Sequence, residues 1–181
     1  DIQDINEEFW DVHQIGDNIL FVSSRNVYIY KNQQLTKIAA PYKFSGSFIA
    51  DDSLYFSDEK SGLYVFTGLS LKQVFPYPEG RVFEISGLYN IPQGLVVVTK
   101  NSGLFLNSSG TLRTLCDEFS RKLKKAKVFS FEKINATHLA FGTVLDGLYI
   151  TDLDGIIIHH ITKQKGLPNN TILSLHYSPA G

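Results

Sequence analysis

Methionine is absent from this sequence of 181 residues, cysteine occurs once, as Cys116, and tryptophan once, as Trp10. A single cysteine excludes an internal disulfide framework, so the core alone must hold the fold. No apolar stretch approaches the roughly 18 residues that a membrane-spanning helix needs. The longest, Gly155 to Ile161, is strand-sized and contains His159 and His160. Charge of one sign is not in excess either: 17 Lys and Arg face 18 Asp and Glu. A nucleic-acid partner usually demands a strong basic excess, so none is expected. Sustained helical periodicity is missing, and only Asp117 to Lys127 suits a short helix. With no initiator methionine and no signal peptide, the chain is expected to be an excerpt of a longer protein, with anchor and output module elsewhere.

What is present is a repeat. Hydrophobic residues make up 43% and charged residues 19%, as in soluble globular proteins with a packed core. Four segments look alike: Ile19 to Tyr30, Leu54 to Phe66, Leu95 to Leu106 and Leu139 to Ile150. Each is an apolar strand, a polar turn closing on Asn or Gly, and a strand of alternating aromatic and aliphatic residues, which is a hairpin signature. The turn residues Asn26, Gly62, Gly103 and Gly147 are expected to supply positive φ. They recur at intervals of 36, 41 and 44 residues.

An apolar strand precedes each hairpin: Phe9 to Ile15, Phe44 to Ala50, Val82 to Tyr89 and Val128 to Ile134. A fourth strand follows each: Gln34 to Ile38, Leu71 to Phe75, Leu112 to Cys116 and Ile156 to Thr162. Four strands per unit at a period near 40 predict an all-β chain, a partial β-propeller forming one domain. The blades are expected at about 9–38, 44–75, 82–116 and 128–162, with the first strand of a fifth starting at 171 and the chain ending at 181.

Gly166 to Leu175 reads GLPNNTILSL. Gly166 permits a turn, Pro168 fixes φ and Asn170 caps the turn before the next strand. The segment resembles the linker and first strand of the regulator-propeller repeat, similar in pattern to G-L-P-x-N-x-V-x-x-L. The other junctions, Ala39 to Phe44 and Pro76 to Arg81, depart from that pattern. The resemblance implies a sensor region of a bacterial two-component or hybrid two-component regulator, lying in the periplasm or otherwise outside the cytoplasm. It also implies a triple-tyrosine domain further along the parent protein.

Reactive residue types lack the arrangements that chemistry requires. His159 and His160 are adjacent on a strand and point to opposite faces; His13, His138 and His176 sit in other units, so no metal site is expected. Cys116 is followed by Asp117 and Glu118, which disfavour a thiolate. Asp51, Asp52, Asp152 and Asp154 occupy turns, where aspartate serves the backbone. Arg121 to Lys127, RKLKKAK, reads as a solvated amphipathic turn with Leu123 tucked beneath, although an anion-binding patch fits the same composition. Asn107, Asn135 and Asn169 head Asn-x-Ser/Thr sites in turns. Trp10 and the other aromatics are expected in the core and between blades.

No catalytic residue, metal or cofactor is therefore expected. A ligand is expected on the propeller face where the second-to-third-strand turns and the blade linkers converge. The turns contribute Arg25, Lys60, Lys100 and Asp146, and the linkers contribute Tyr42, Lys43, Arg81 and Asn169. An oligosaccharide or other small ligand is the expected partner, with self-association or the rest of a parent propeller covering open edges. No membrane contact is expected. A protein-interaction scaffold, or a propeller glycosidase or lyase, are the alternatives.

Overall fold

The computed structural model describes residues 6–115 and 118–178. Cys116 and Asp117, with the sequence expectations attached to them, lie outside the described residues. Among the described residues, sixteen strands build four antiparallel sheets of four, each in simple meander order. Blade one holds β1 (Phe9–Ile15), β2 (Asn18–Ser23), β3 (Asn26–Lys31) and β4 (Gln34–Ala39). Blade two holds β5 (Phe44–Ala50), β6 (Ser53–Asp58), β7 (Gly62–Phe66) and β8 (Leu71–Pro76). Blade three holds β9 (Ile85–Ile91), β10 (Gly94–Thr99), β11 (Gly103–Ser108) and β12 (Thr111–Thr114). Blade four holds β13 (Val128–Lys133), β14 (His138–Thr143), β15 (Leu148–Asp152) and β16 (Ile157–Ile161). The fold is all-β, in propeller-type blades.

The central turns close as glycine allows. Gly62, Gly103 and Gly147 have φ of 127°, 84° and 77°. A Cβ at Gly62 would also stand 2.2 Å from the Phe75 carbonyl oxygen, and one at Gly147 2.2 Å from that of Ile161. Blade one differs from the sequence expectation. Asn26 keeps a negative φ, because Ser24 and Arg25 alone make the turn and Asn26 begins β3.

The chain forms two compact units, residues 1–82 and 83–181. In the first, Leu20, Val22, Val27 and Ile29 of blade one pack on Phe44, Leu54, Phe56 and Phe66 of blade two. In the second, Val96, Val98, Leu104 and Leu106 of blade three join Val128, Leu139, Phe141 and Tyr149 of blade four. Helix α1 (Glu118–Ala126) lies within the span predicted for it and completes that core with Phe119, Leu123 and Ala126. Its basic residues occupy the opposite, exposed face, so the RKLKKAK run is an amphipathic helix and not a loop.

One expectation is corrected. Trp10 is 43% exposed and not a core residue. Along β1, Asp11, His13 and Ile15 turn toward blade two, and alternation sends Trp10 and Val12 to the uncovered face. Residues 171–178, expected as the first strand of a further blade, form no ladder with the described residues.

The start of that segment is nonetheless seated as a blade's first strand is. Ser86 Oγ of β9 donates to the Val128 carbonyl at 2.8 Å, where blade four begins. Ser130 Oγ of β13 donates to the Ile172 carbonyl at 3.2 Å, and both pairs are 42 residues apart. The Ile172 amide donates to the Thr143 carbonyl at 2.8 Å, as the Val128 amide does to that of Lys100 at 3.1 Å.

Candidate functional site

Each blade ends its second strand on a buried polar residue: Ser23, Asp58, Thr99 and Thr143, none more than 1% exposed. In three blades a hydroxyl grips the following turn. Thr143 Oγ1 donates to the Gly147 carbonyl at 2.8 Å and accepts the Asp146 amide at 2.9 Å. Thr99 does the same with Gly103 and Ser102. Ser23 does so with Asn26, whose amide and carbonyl it meets at 2.9 and 3.0 Å. The recurrent spacing of Ser, Thr or Asp three or four residues before the Asn or Gly was visible in the sequence, and the sequence reading overlooked it.

Asp58 does more than its counterparts. Oδ1 accepts the amides of Lys60 and Ser61 at 3.1 and 2.9 Å, and Oδ2 accepts those of Tyr42 and Lys43 at 2.9 and 2.8 Å. One carboxylate thus ties the blade-two turn to the linker leading into that blade. Burial alone would raise its pKa; the hydrogen bonds from Ser61 and from the Tyr42, Ser61 and Lys60 amides outweigh burial and hold it below 3.8, the ordinary value. Nearby Tyr77 is pushed well up, by its own burial and by the Asp58 charge.

That clasp brings together three of the eight sequence candidates, Tyr42, Lys43 and Lys60. Tyr42 is 53% exposed, with Lys60 Nζ 3.7 Å from its ring centroid, close enough for a cation–π contact. Lys43 Nζ pairs with Glu59 at 2.9 Å. Arg25 joins through its backbone, its carbonyl accepting the Ala40 amide at 2.8 Å, while its side chain is exposed. Arg81 lies in a separate turn closed by its amide on the Pro78 carbonyl.

In the second unit each of the remaining three has partners of its own. Lys100 pairs with Glu84 at 3.2 Å and lies 5.2 Å from the Phe129 ring centroid. Asp146 accepts a hydrogen bond from the Tyr149 hydroxyl. Asn169 accepts the Thr171 amide at 2.8 Å, which makes it a turn residue. Turns and linkers do share a side within each unit, since backbone bonds join Phe44 to Ser24, Val128 to Lys100 and Gly147 to Asn170.

One grouping that the sequence hid resembles hydrolytic machinery. His13 Nε2 lies 2.8 Å from Ser47 Oγ and 3.0 Å from Asp11 Oδ2, and Ser47 also donates to Asp11. A Ser-His-Asp relay needs the acid on one ring nitrogen and the serine on the other. Here both meet the same nitrogen, so the cluster is an inter-blade polar contact. Among the described residues, no three His, Cys, Asp or Glu side chains are grouped to hold a metal. No helix among them is long and apolar enough to cross a membrane.

No protein-family model and no curated protein matches this sequence. Solved structures do. The extracellular domain of the one-component system BT4673 from B. thetaiotaomicron superposes with a TM-score of 0.66 at 16% identity, over 97% of this chain and 26% of that one. The extracellular domain of the hybrid two-component system BT3049 from the same organism gives 0.67 at 14%, over 97% of this chain and 25% of that one. BBS1N, solved in complex with ARL6DN, gives 0.53 at 14%, over 78% of this chain and 47% of that one. At such identities the likeness establishes the fold. The chain spans about a quarter of the two extracellular domains. They are the kind of protein that the Gly166 to Leu175 motif points to.

Proposed function

We propose that this chain is the ligand-sensing segment of a signal-transduction regulator, displayed outside the cytoplasm and without catalytic activity of its own. The observation that carries this reading is the Tyr42–Lys60 pair, an exposed aromatic ring beside an ammonium, fixed from below by buried Asp58. A flat ring with the Lys60 ammonium beside it suits a polyhydroxylated ligand such as an oligosaccharide: the ring stacks on C–H faces, and the ammonium takes a hydroxyl. The extracellular domains of similar fold support the sensory role and the location. Residues 171–178 fit the reading as the inner strand of a further blade, because their anchor repeats the bonds that seat blade four. That blade would be completed by the rest of a parent propeller or by a second copy.

Screening an oligosaccharide library by calorimetry with the wild-type chain and the Y42A variant tests the proposal. A sugar that binds the wild type and loses about tenfold or more in affinity on Y42A, at unchanged melting temperature, is the expected result. Equal binding to both proteins would remove the site. A protein-interaction scaffold is the second reading, favoured by the fold shared with BBS1N, itself solved with a partner protein. Its signature would be a protein ligand sensitive to Y42A with no sugar bound.

A further inference from the structure

The exposed face of α1 meets blade four at a cavity of about 490 Å³, within the range of small-molecule sites. Lys122 and Lys125 of α1 reach into its lining, together with Leu145 and Asp146 of the β14–β15 turn and Ile157 and His160 of β16. The walls are rigidly set. The Leu145 amide donates to the Ala126 carbonyl at 3.1 Å and the Val144 amide to that of Lys127 at 2.9 Å, so the turn is stapled to the end of the helix. His160 lies flat on Tyr149, ring centroids 4.2 Å apart and planes 5° from parallel. Its Nε2 is 2.8 Å from the Asp146 carbonyl oxygen.

The charges in this lining are unevenly committed. Asp146 already accepts the Tyr149 hydroxyl and lies 3.4 Å from His160 Nε2. Burial, and then the Asp146 hydrogen bond and charge, keep the Tyr149 hydroxyl protonated as that donor. Lys122 pairs with Glu118 across one exposed helical turn, a contact of little strength. Lys125 has no ion-pair partner among the described residues. Lys124 and Lys127 stand on the same short stretch and add to the positive field.

We propose that this cavity binds a small organic anion with a flat ring. The anionic group lies between the Lys122 and Lys125 ammonium groups, and the ring lies against Leu145, Ile157 and the imidazole of His160. The site is in the second unit and is independent of the Tyr42 site in the first. Charge alone or ring alone satisfies only half of the lining.

Titration of the ¹⁵N-labelled chain with naphthalene-2-carboxylate, its neutral carboxamide and inorganic phosphate separates those halves. The carboxylate is expected to bind saturably, with shifts confined to α1, the 144–147 turn and β16. It is expected to bind about tenfold or more tighter than either of the other probes, and the K122Q/K125Q variant is expected to lose that advantage. Y42A, which tests the other site, is expected to bind it unchanged. Both lysines are exposed, so the variant's amide spectrum reports directly that the fold survives. Equal binding of acid and amide, non-saturating shifts, or unchanged affinity in K122Q/K125Q would overturn the proposal.

Discussion

Asp58 shows what a single residue contributes to this fold. Its carboxylate satisfies donors from a turn and a linker that no ladder serves, and replacing it leaves those donors buried or forces them apart. D58A is expected to lose about 2–4 kcal/mol of unfolding free energy in urea titration, more than a surface carboxylate would cost. The pH dependence follows from its lowered pKa. The folded state holds the ionised form more tightly than the unfolded chain does, so the full contribution is present above the unfolded value of about 3.8. It is lost as pH falls through that value and on through the lower folded one. The stability difference between wild type and D58N is expected to stay level from pH 5 to 8 and to shrink below about pH 4. A difference unchanged at low pH would show that Asp58 acts without its charge. Glu7, lowered by Ser23, Tyr28 and Asn26 against its own burial, loses its contribution in the same direction.

At the scale of elements, the blades differ in how completely they are paired. The inner strands β1, β5, β9 and β13 each have an antiparallel neighbour, and residues 171–178 are held at their start, by Thr171 on the Val144 carbonyl and by the backbone of Ile172. Hydrogen exchange is expected to show protection at Ile172 and none from Leu173 to Ser178. G142A should remove even that. A Cβ there would stand 2.2 Å from Ser130 Oγ and 2.7 Å from Ile172 Cγ2, so the segment must move away. Protection at Ile172 retained in G142A would show that β14 and residues 171–178 can separate without losing the bond.

At the scale of the whole chain, open apolar surface sets the behaviour in solution. Phe9, Trp10, Val12 and Ile19 are exposed together on blade one, and Leu173 and Tyr177 are exposed near the other end. Patches of this kind promote association unless something covers them. Sedimentation is expected to show concentration-dependent self-association of the chain, weakened by the W10S/V12S double variant. A strict monomer at high micromolar concentration would refute this. Trp10 also offers a reporter, since an exposed indole blue-shifts when a partner covers it.

The repeat was legible in the sequence because strands and turns are local: alternation of period two and glycine at positive φ are properties of adjacent residues. The bounds read for the apolar strands β1 and β5 are those of the structure, and α1 falls within the one span that suited a short helix. Local pattern also placed Tyr42 in a linker and Lys60 on a turn, but it could not say that they touch. That contact depends on Asp58, sixteen residues from Tyr42, whose carboxylate the tertiary fold turns inward between two loops. Sequence likewise located Trp10 on a strand and misjudged its surroundings, because burial depends on which sheet covers which face. The cavity beside α1 and the stacking of His160 on Tyr149 arise from residues brought together across the chain. Composition and periodicity carry backbone preference and amphipathicity, and these determined the strands, the helix and the turns. The meeting of side chains distant in sequence is decided only when sheets pack.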